Sequence, residues 1–240
     1  MRKSLAAAAI ATAAISACGR AHSEDAGPKV ARNFQVGSFD RIESAGAYDV
    51  TVRTGPAPSV SARGPQKVIE AMVVEVQGGK LTIRQNKEKS WFGRGHRGGK
   101  VEITVTVPQL SAATLAGAGG MRIDQIEGNG FEGTLAGAGD MHVDRIRVQN
   151  LKMTIAGAGD AKLGAGTAQN VDYSTAGAGD IDASGIAAHQ AKISIVGAGS
   201  IRAHATGSAD VSIVGAGDVE IGGGAKCSVH KMGAGDVRCF

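Results

Sequence analysis

Residues 131–140 read Phe-Glu-Gly-Thr-Leu-Ala-Gly-Ala-Gly-Asp, and residues 151–160 read Leu-Lys-Met-Thr-Ile-Ala-Gly-Ala-Gly-Asp. The closing tetrad Gly-Ala-Gly-x recurs from Gly117, Gly137, Gly157, Gly177, Gly197, Gly215 and Gly233, at spacings of 20, 20, 20, 20, 18 and 18 residues. A near-constant period of this length is the signature of a solenoid, in which each repeat buries its apolar face against its neighbours. Counted back from each tetrad, every second position is apolar: Leu151, Met153 and Ile155 in one repeat, Ala191, Ile193 and Ile195 in another. The positions between them are polar: Lys152 and Thr154, Lys192 and Ser194. After the tetrad the alternation resumes, with Met141 and Val143 flanking His142. Strict period-two alternation is a strand with one buried face.

Each repeat therefore reads as strand, tight Gly-Ala-Gly turn, strand and a looser Gly/Asn/Ser return. The sequence predicts an all-β, right-handed parallel β-helix of about 20 residues per coil, two strands per coil, with a flattened interior lined by small aliphatic residues. The glycines flanking Ala are assigned to positive φ at the turn. Five residues before the tetrad the outward side chains run Glu132, Lys152, Asp172, Lys192 and Asp210. Stacked coils then place opposite charges side by side.

The 240 residues include 37 Gly and only 8 aromatics (5 Phe, 2 Tyr, 1 Trp), with a formal charge of +4. Gly without a three-residue period and only 5 Pro exclude collagen. The charge excess is too small to indicate nucleic acid.

The N-terminus reads as an address. A basic start, Arg2-Lys3, is followed by an apolar run over residues 5–17 and then by Cys18. This is the layout of a secretory signal peptide (1–17), and small residues directly before a Cys resemble a bacterial lipobox. Cys18 is the expected lipidation site, with plain secretion and cleavage near Ala17 as the alternative. Gly19, in place of Asp, points by the same resemblance to the outer membrane. Residues 18–33 read as a flexible tether. In an oxidising compartment, Cys227 and Cys239 are expected to form a disulfide, both at inward positions of the last coil.

Residues 34–110 form a less regular β part, with strands expected over 39–43, 48–53, 58–63, 72–77, 80–85 and 101–107. Within it lies an inserted basic segment, 86–100, carrying Trp91, Phe92, Arg94, His96 and Arg97. Aromatic and cationic side chains on a Gly-rich loop are suited to an anionic glycan or other envelope polymer. The alternative is a solvated hairpin extension between two strands. Residues 111–240 are the Gly-Ala-Gly-Asp repeat itself.

The run Phe39-x-x-Ile42, then Gly46-x-x-Asp49-Val50-x-Val52, Leu81-x-Ile83, Val105-x-Val107-Pro108-x-Leu110 and the Gly-Ala-Gly-Asp coils resembles the auto-transporter adhesin family with the head GIN domain. The Gly-Ile-Asn tripeptide itself is absent. The resemblance spans about residues 34–240 and implies an exported or lipid-anchored β-helix of the bacterial envelope.

The carboxylates Asp140, Asp160, Asp180, Asp218 and Asp236 would stack along one edge. They suit Ca²⁺ between coils or, alternatively, local turn caps. Gly120 and Ser200 interrupt that row. No Zn-protease, nucleophile-elbow or P-loop motif occurs, and no cofactor is implied. The sequence thus predicts a non-catalytic, lipid-anchored envelope protein, an adhesin or polymer-binding module. A self-assembling envelope scaffold is the alternative, and a polysaccharide-acting enzyme an outside possibility.

Overall fold

The computed structural model describes residues 27–86 and 99–240. The predicted signal peptide, Cys18 and the side chains Trp91, Phe92, Arg94, His96 and Arg97 lie outside these described residues.

The repeat folds as a parallel β-helix with about 20 residues per coil. Its body comprises β9 (Gly120–Gly137), β10 (Asp140–Gly157), β11 (Asp160–Gly177), β12 (Ile181–Gly197) and β13 (Ser200–Gly215). The last coil comprises β14 (Asp218–Gly222), β15 (Lys226–Gly233) and β16 (Val237–Cys239). Residue i pairs in parallel with residue i+20, as in Asp140↔Asp160 and Gly157↔Gly177.

The coil has three walls, not two. In β10 the buried side chains are Met141 and Val143, then Ile146 and Val148, then Leu151, Met153 and Ile155. The inward step is two residues within a wall and three at each change of wall. The middle wall holds only two inward positions, too short a run for alternation to reveal. Its residues stay in the ladder as well, since Ile146 pairs with Gly166 and Val148 with Ala168. One strand of 18 residues thus bends through a whole coil.

Side-chain volume is matched coil by coil. Met141, Ile146 and Val148 of β10 lie in register with Ala161, Gly166 and Ala168 of β11. The space so released accommodates Tyr173, which stands in register with Met153 and is 1% exposed. Gly133, which interrupts the apolar pattern, is covered similarly. A Cβ there would lie 2.4 Å from Met153 Sδ and 3.3 Å from the Phe131 ring. Dense packing of this kind leaves little freedom for single substitutions.

Between β12 and β13 the coil shortens by two residues. The register shifts between Asp182 and Ala187 and again between Ala188 and Gln190, then holds through Gly197↔Gly215. The contraction falls on the middle wall, where β13 buries only Ala205, in register with Ala188.

The Gly-Ala-Gly corners form a column. The N–H of Ala158 donates to the Gly137 carbonyl at 2.9 Å, and the same bond repeats at Ala138, Ala178, Ala198, Ala216 and Ala234. The two glycines are required for different reasons. Gly157 has φ +140°, and a Cβ on it would lie 2.1 Å from the Gly137 oxygen. Gly159 has no positive φ; a Cβ there would lie 2.1 Å from the Gly139 oxygen and 2.5 Å from Leu135 Cδ2. The expectation of positive φ holds for the first glycine and is corrected for the second, which is held by close approach alone.

The N-terminal part extends the same solenoid. Its strands are β1 (Lys29–Phe34), β2 (Arg41–Ala45), β3 (Tyr48–Thr54), β4 (Ser59–Pro65), β5 (Met72–Gln77), β6 (Lys80–Gln85), β7 (Val101–Val107) and β8 (Ala112–Gly117), with one short helix, α1 (Gln66–Glu70). Most of the predicted strands are present within a few residues. On the third wall β2 lies between β6 and β8; on the first, β3 lies between β7 and β9. Gly46, with φ +143°, turns the corner between β2 and β3, and its N–H donates to the Ala116 carbonyl at 2.8 Å.

Two expectations are corrected. Residues 29–33 are not tether: they form most of β1, antiparallel to β4 in register from Lys29↔Pro65 to Phe34↔Val60. The hairpin expected between strands 80–85 and 101–107 does not form either. Strands β6 and β7 do not pair with each other; they lie on different walls, in the layer beyond β2 and β3. Beyond that layer the solenoid end is closed by antiparallel strands, β4 on β7, β1 on β4 and β5 on β6. Val68 and Ile69 of α1 add to this cap.

Candidate functional site

Three outward features carry chemistry among the described residues: a groove, a row of aspartates and the base of the inserted segment.

The groove follows the corner between the second and third walls. Its corner column is Gly130, Asn150, Asn170, Gln190 and Ser208, and its flank is the row Glu132, Lys152, Asp172, Lys192 and Asp210. The buried Phe131, Leu151, Val171 and Ala191 form its floor. It encloses about 690 Å³ and runs over five coils. At about 4.8 Å per coil, its four steps span about 19 Å. Asn170 Nδ2 donates to Asn150 Oδ1 at 2.9 Å. Lys152 Nζ pairs with Glu132 at 2.8 Å. The alternating row thus forms in the predicted register, with one pair closed. The hydrogen bond and charge of Glu132 raise the Lys152 ammonium above its usual range, with a smaller contribution from Asp172.

The aspartate row is bound into the backbone. Asp160 Oδ1 accepts the Asp180 N–H at 3.1 Å, Asp180 Oδ1 accepts the Ser200 N–H at 2.7 Å, and Asp218 Oδ1 accepts the Asp236 N–H at 2.8 Å. Each bond caps the next coil, a longer-range version of the turn cap considered from sequence. Among the described residues no group of three His, Cys, Asp or Glu side chains is placed to hold a metal ion. Nearby, burial pushes the Asp182 carboxyl up, but two hydrogen bonds from Ser184 and the charges of Arg202 and Lys162 outweigh it and hold the group below its usual range.

At the base of the inserted segment, Lys100 Nζ pairs with Asp49 at 2.8 Å. That bond raises the lysine above its usual range. Lys100, Tyr48, Val68 and Gln85 line a cavity of about 420 Å³. Sequence reading missed this cavity because its walls come from five separated stretches.

Cys227 and Cys239 form a disulfide across 12 residues of chain, with Cα atoms 6.7 Å apart. The pairing is as predicted, but the positions are not enclosed. Cys227 is half-buried and Cys239 exposed, because no further coil covers them.

Residues 38–225 match the model of the family described as putative auto-transporter adhesin, head GIN domain. The chain belongs to this family. The head GIN domain accordingly takes in all of the described strands but β1, β15 and β16. Solved structures agree. A protein described as a putative adhesin from Bacteroides fragilis is 25% identical, with TM-score 0.79, covering 89% of this chain and 97% of that one. A putative lipid binding protein from Parabacteroides distasonis (24%, TM-score 0.72, covering 89% and 97%) and a putative adhesin from Parabacteroides merdae (19%, TM-score 0.69, covering 90% and 98%) share the fold. No curated protein matches the chain. Membership in an adhesin-like family suggests an extracellular or envelope protein. No described helix is long and apolar enough to cross a membrane.

Proposed function

We propose that this head GIN protein is a non-catalytic, lipid-anchored adhesin of the cell envelope, held through Cys18 at the outer membrane and binding an envelope polymer. The observation behind this reading is the five-coil groove: it repeats the same shallow polar surface at each step, which suits a polymer better than a single small substrate. The family, and the structural neighbours described as putative adhesins, support the adhesin part of this reading. The side chains of Trp91, Phe92, Arg94, His96 and Arg97 would supply cationic and aromatic contacts for anionic groups of such a polymer.

Two experiments test this. Fractionation and acyl labelling of the full-length protein against Cys18→Ser should move the variant from membrane to soluble fractions. A glycan and envelope-polymer array should show binding by the wild type, and a blank array would sink the reading.

A second reading, self-assembly, has the open end behind it: Val229, Met232 and Phe240 are 43%, 71% and 75% exposed on the last coil. Edge lysines oppose such stacking, and Lys231 Nζ is folded back onto the Gly235 carbonyl at 2.6 Å. Sedimentation that stays monomeric at high concentration would eliminate this reading.

A further inference from the structure

We propose that the groove between the second and third walls binds an extended, uncharged polysaccharide laid across the coils, with about one sugar ring per coil. This rests on the polymer-binding reading and names its site and ligand class.

The first support is periodicity. Asn150, Asn170 and Gln190 stand in one column because the ladder pairs Asn150 with Asn170 and Asn170 with Gln190. Each offers an amide donor pair and an acceptor. The step of about 4.8 Å is close to the advance of one ring in an extended glycan. A repeating set of hydroxyls thus meets a repeating set of amides, with lysine ammonium or aspartate carboxylate on the flank.

Spare hydrogen-bonding capacity is the second. Asn170 uses one donor on Asn150, and Lys152 is paired with Glu132. The side chains of Gln190, Asp172, Lys192 and Asp210 make no hydrogen bond or ion pair with any described residue. Gln190, Lys192 and Asp210 are exposed and Asp172 is half-buried, so a sugar hydroxyl would replace water at modest desolvation cost.

The sign of the flank selects the ligand. Glu132, Asp172 and Asp210 alternate with Lys152 and Lys192, so a polyanion would meet a carboxylate at every second coil. Like charges side by side are unfavourable, whereas neutral hydroxyls accept or donate to either kind.

The fourth support is continuity. The coil loses two residues between β12 and β13, yet the loss is taken up before Gln190↔Ser208 and Lys192↔Asp210. Both rows cross the contraction in register, and the groove stays open along its whole length.

The test uses full-length protein in detergent and calorimetry with cellohexaose and chitohexaose as neutral probes and polygalacturonate as a polyanion. The triple variant Asn150→Ala/Asn170→Ala/Gln190→Ala changes only exposed side chains, and its thermal unfolding serves as the folding control. Neutral-chain affinity should fall about tenfold or more in this variant and be nearly unchanged by added salt. Asp172→Asn with Lys192→Gln keeps hydrogen-bonding groups and should bind nearly as wild type. The groove assignment is overturned if neutral chains do not bind, or if the triple variant binds them as wild type does. Salt-sensitive polygalacturonate binding, abolished by Trp91→Ala/Arg94→Ala/Arg97→Ala and untouched by the groove triple, would also overturn it while leaving polymer binding intact. If polygalacturonate and the neutral chains all fail to bind, the groove and the polymer-binding reading fall together.

Discussion

The first glycine of one corner lies directly over that of the next, so that a Cβ on Gly157 would stand 2.1 Å from the carbonyl oxygen of Gly137. The contact is between backbones, so no side chain can move aside to relieve it. Gly157→Ala combines a φ of +140° with this overlap and should cost about 3 kcal/mol or more. Ala158→Ser, on the exposed residue between the glycines, should change stability by less than about 0.5 kcal/mol. Urea unfolding of both variants checks the contrast, and equal effects would refute it.

The disulfide closes the last coil, which has no further coil to cover it. Cys227→Ser with Cys239→Ser should cost about 2–3 kcal/mol by loss of loop closure. The loss should be local. Hydrogen exchange should accelerate in β15 and β16 and remain slow in β10 and β11. Uniform acceleration would show instead that the terminal coil governs the whole solenoid.

Tyr173 and Thr175 face inward on one coil, and neither hydroxyl has a hydrogen-bond partner. Burial raises the Tyr173 phenol well above its usual range. An unsatisfied buried hydroxyl costs about 1–3 kcal/mol, so Tyr173→Phe should raise stability by about 1 kcal/mol. Thermal unfolding measures this, and a drop of similar size would reveal an internal water bound to the hydroxyl.

Asp180 spends one carboxylate oxygen on the Ser200 N–H at 2.7 Å. Asp180→Ala should cost about 1 kcal/mol, as for loss of other capping side chains, whereas Asp180→Asn keeps an acceptor and should cost less. Millimolar Ca²⁺ should leave the melting temperature unchanged. A clear rise with Ca²⁺, lost in Asp160→Asn/Asp180→Asn, would restore the calcium reading of this row.

Asp182 has its folded-state pKa held below the unfolded value, so its carboxylate stabilises the fold. That contribution is complete above the unfolded value of about 4 and is lost as pH falls through the folded value. Ser184→Ala removes the hydrogen bonds that lower it. The difference in stability between wild type and variant should therefore shrink as pH drops below about 4, which denaturant titrations at several pH values measure. A difference independent of pH would remove Asp182 from the account.

Much of the scaffold was legible because stacking repeats the same physical demand every 20 residues. Leu135, Ile155 and Ile195 must all be apolar, and Gly137, Gly157 and Gly177 must all lack a Cβ. The third wall and the Gly-Ala-Gly column could therefore be read directly, and so could the charge row. The middle wall was missed because two inward residues, such as Ile146 and Val148, show no periodicity between phase shifts. The groove was missed for a related reason. Asn150, Asn170 and Gln190 read as a loose return, and only the bend that keeps those residues in the ladder turns them into one side of a channel.

The repeat in the sequence determined the parallel coil, its length and its corners, because identical neighbours must satisfy identical contacts. Tertiary structure alone decided how the solenoid begins. Strands β2 and β3 are laid down first, yet they sit between the later β6 and β7 on one side and β8 and β9 on the other. That order depends on which edges remain open for pairing once the chain has turned back through β4, α1 and β5. Hydrogen-bonded edges carry no local sequence signature, so the cap, and the separation of β6 and β7 onto different walls, emerge only when the strands are paired in space.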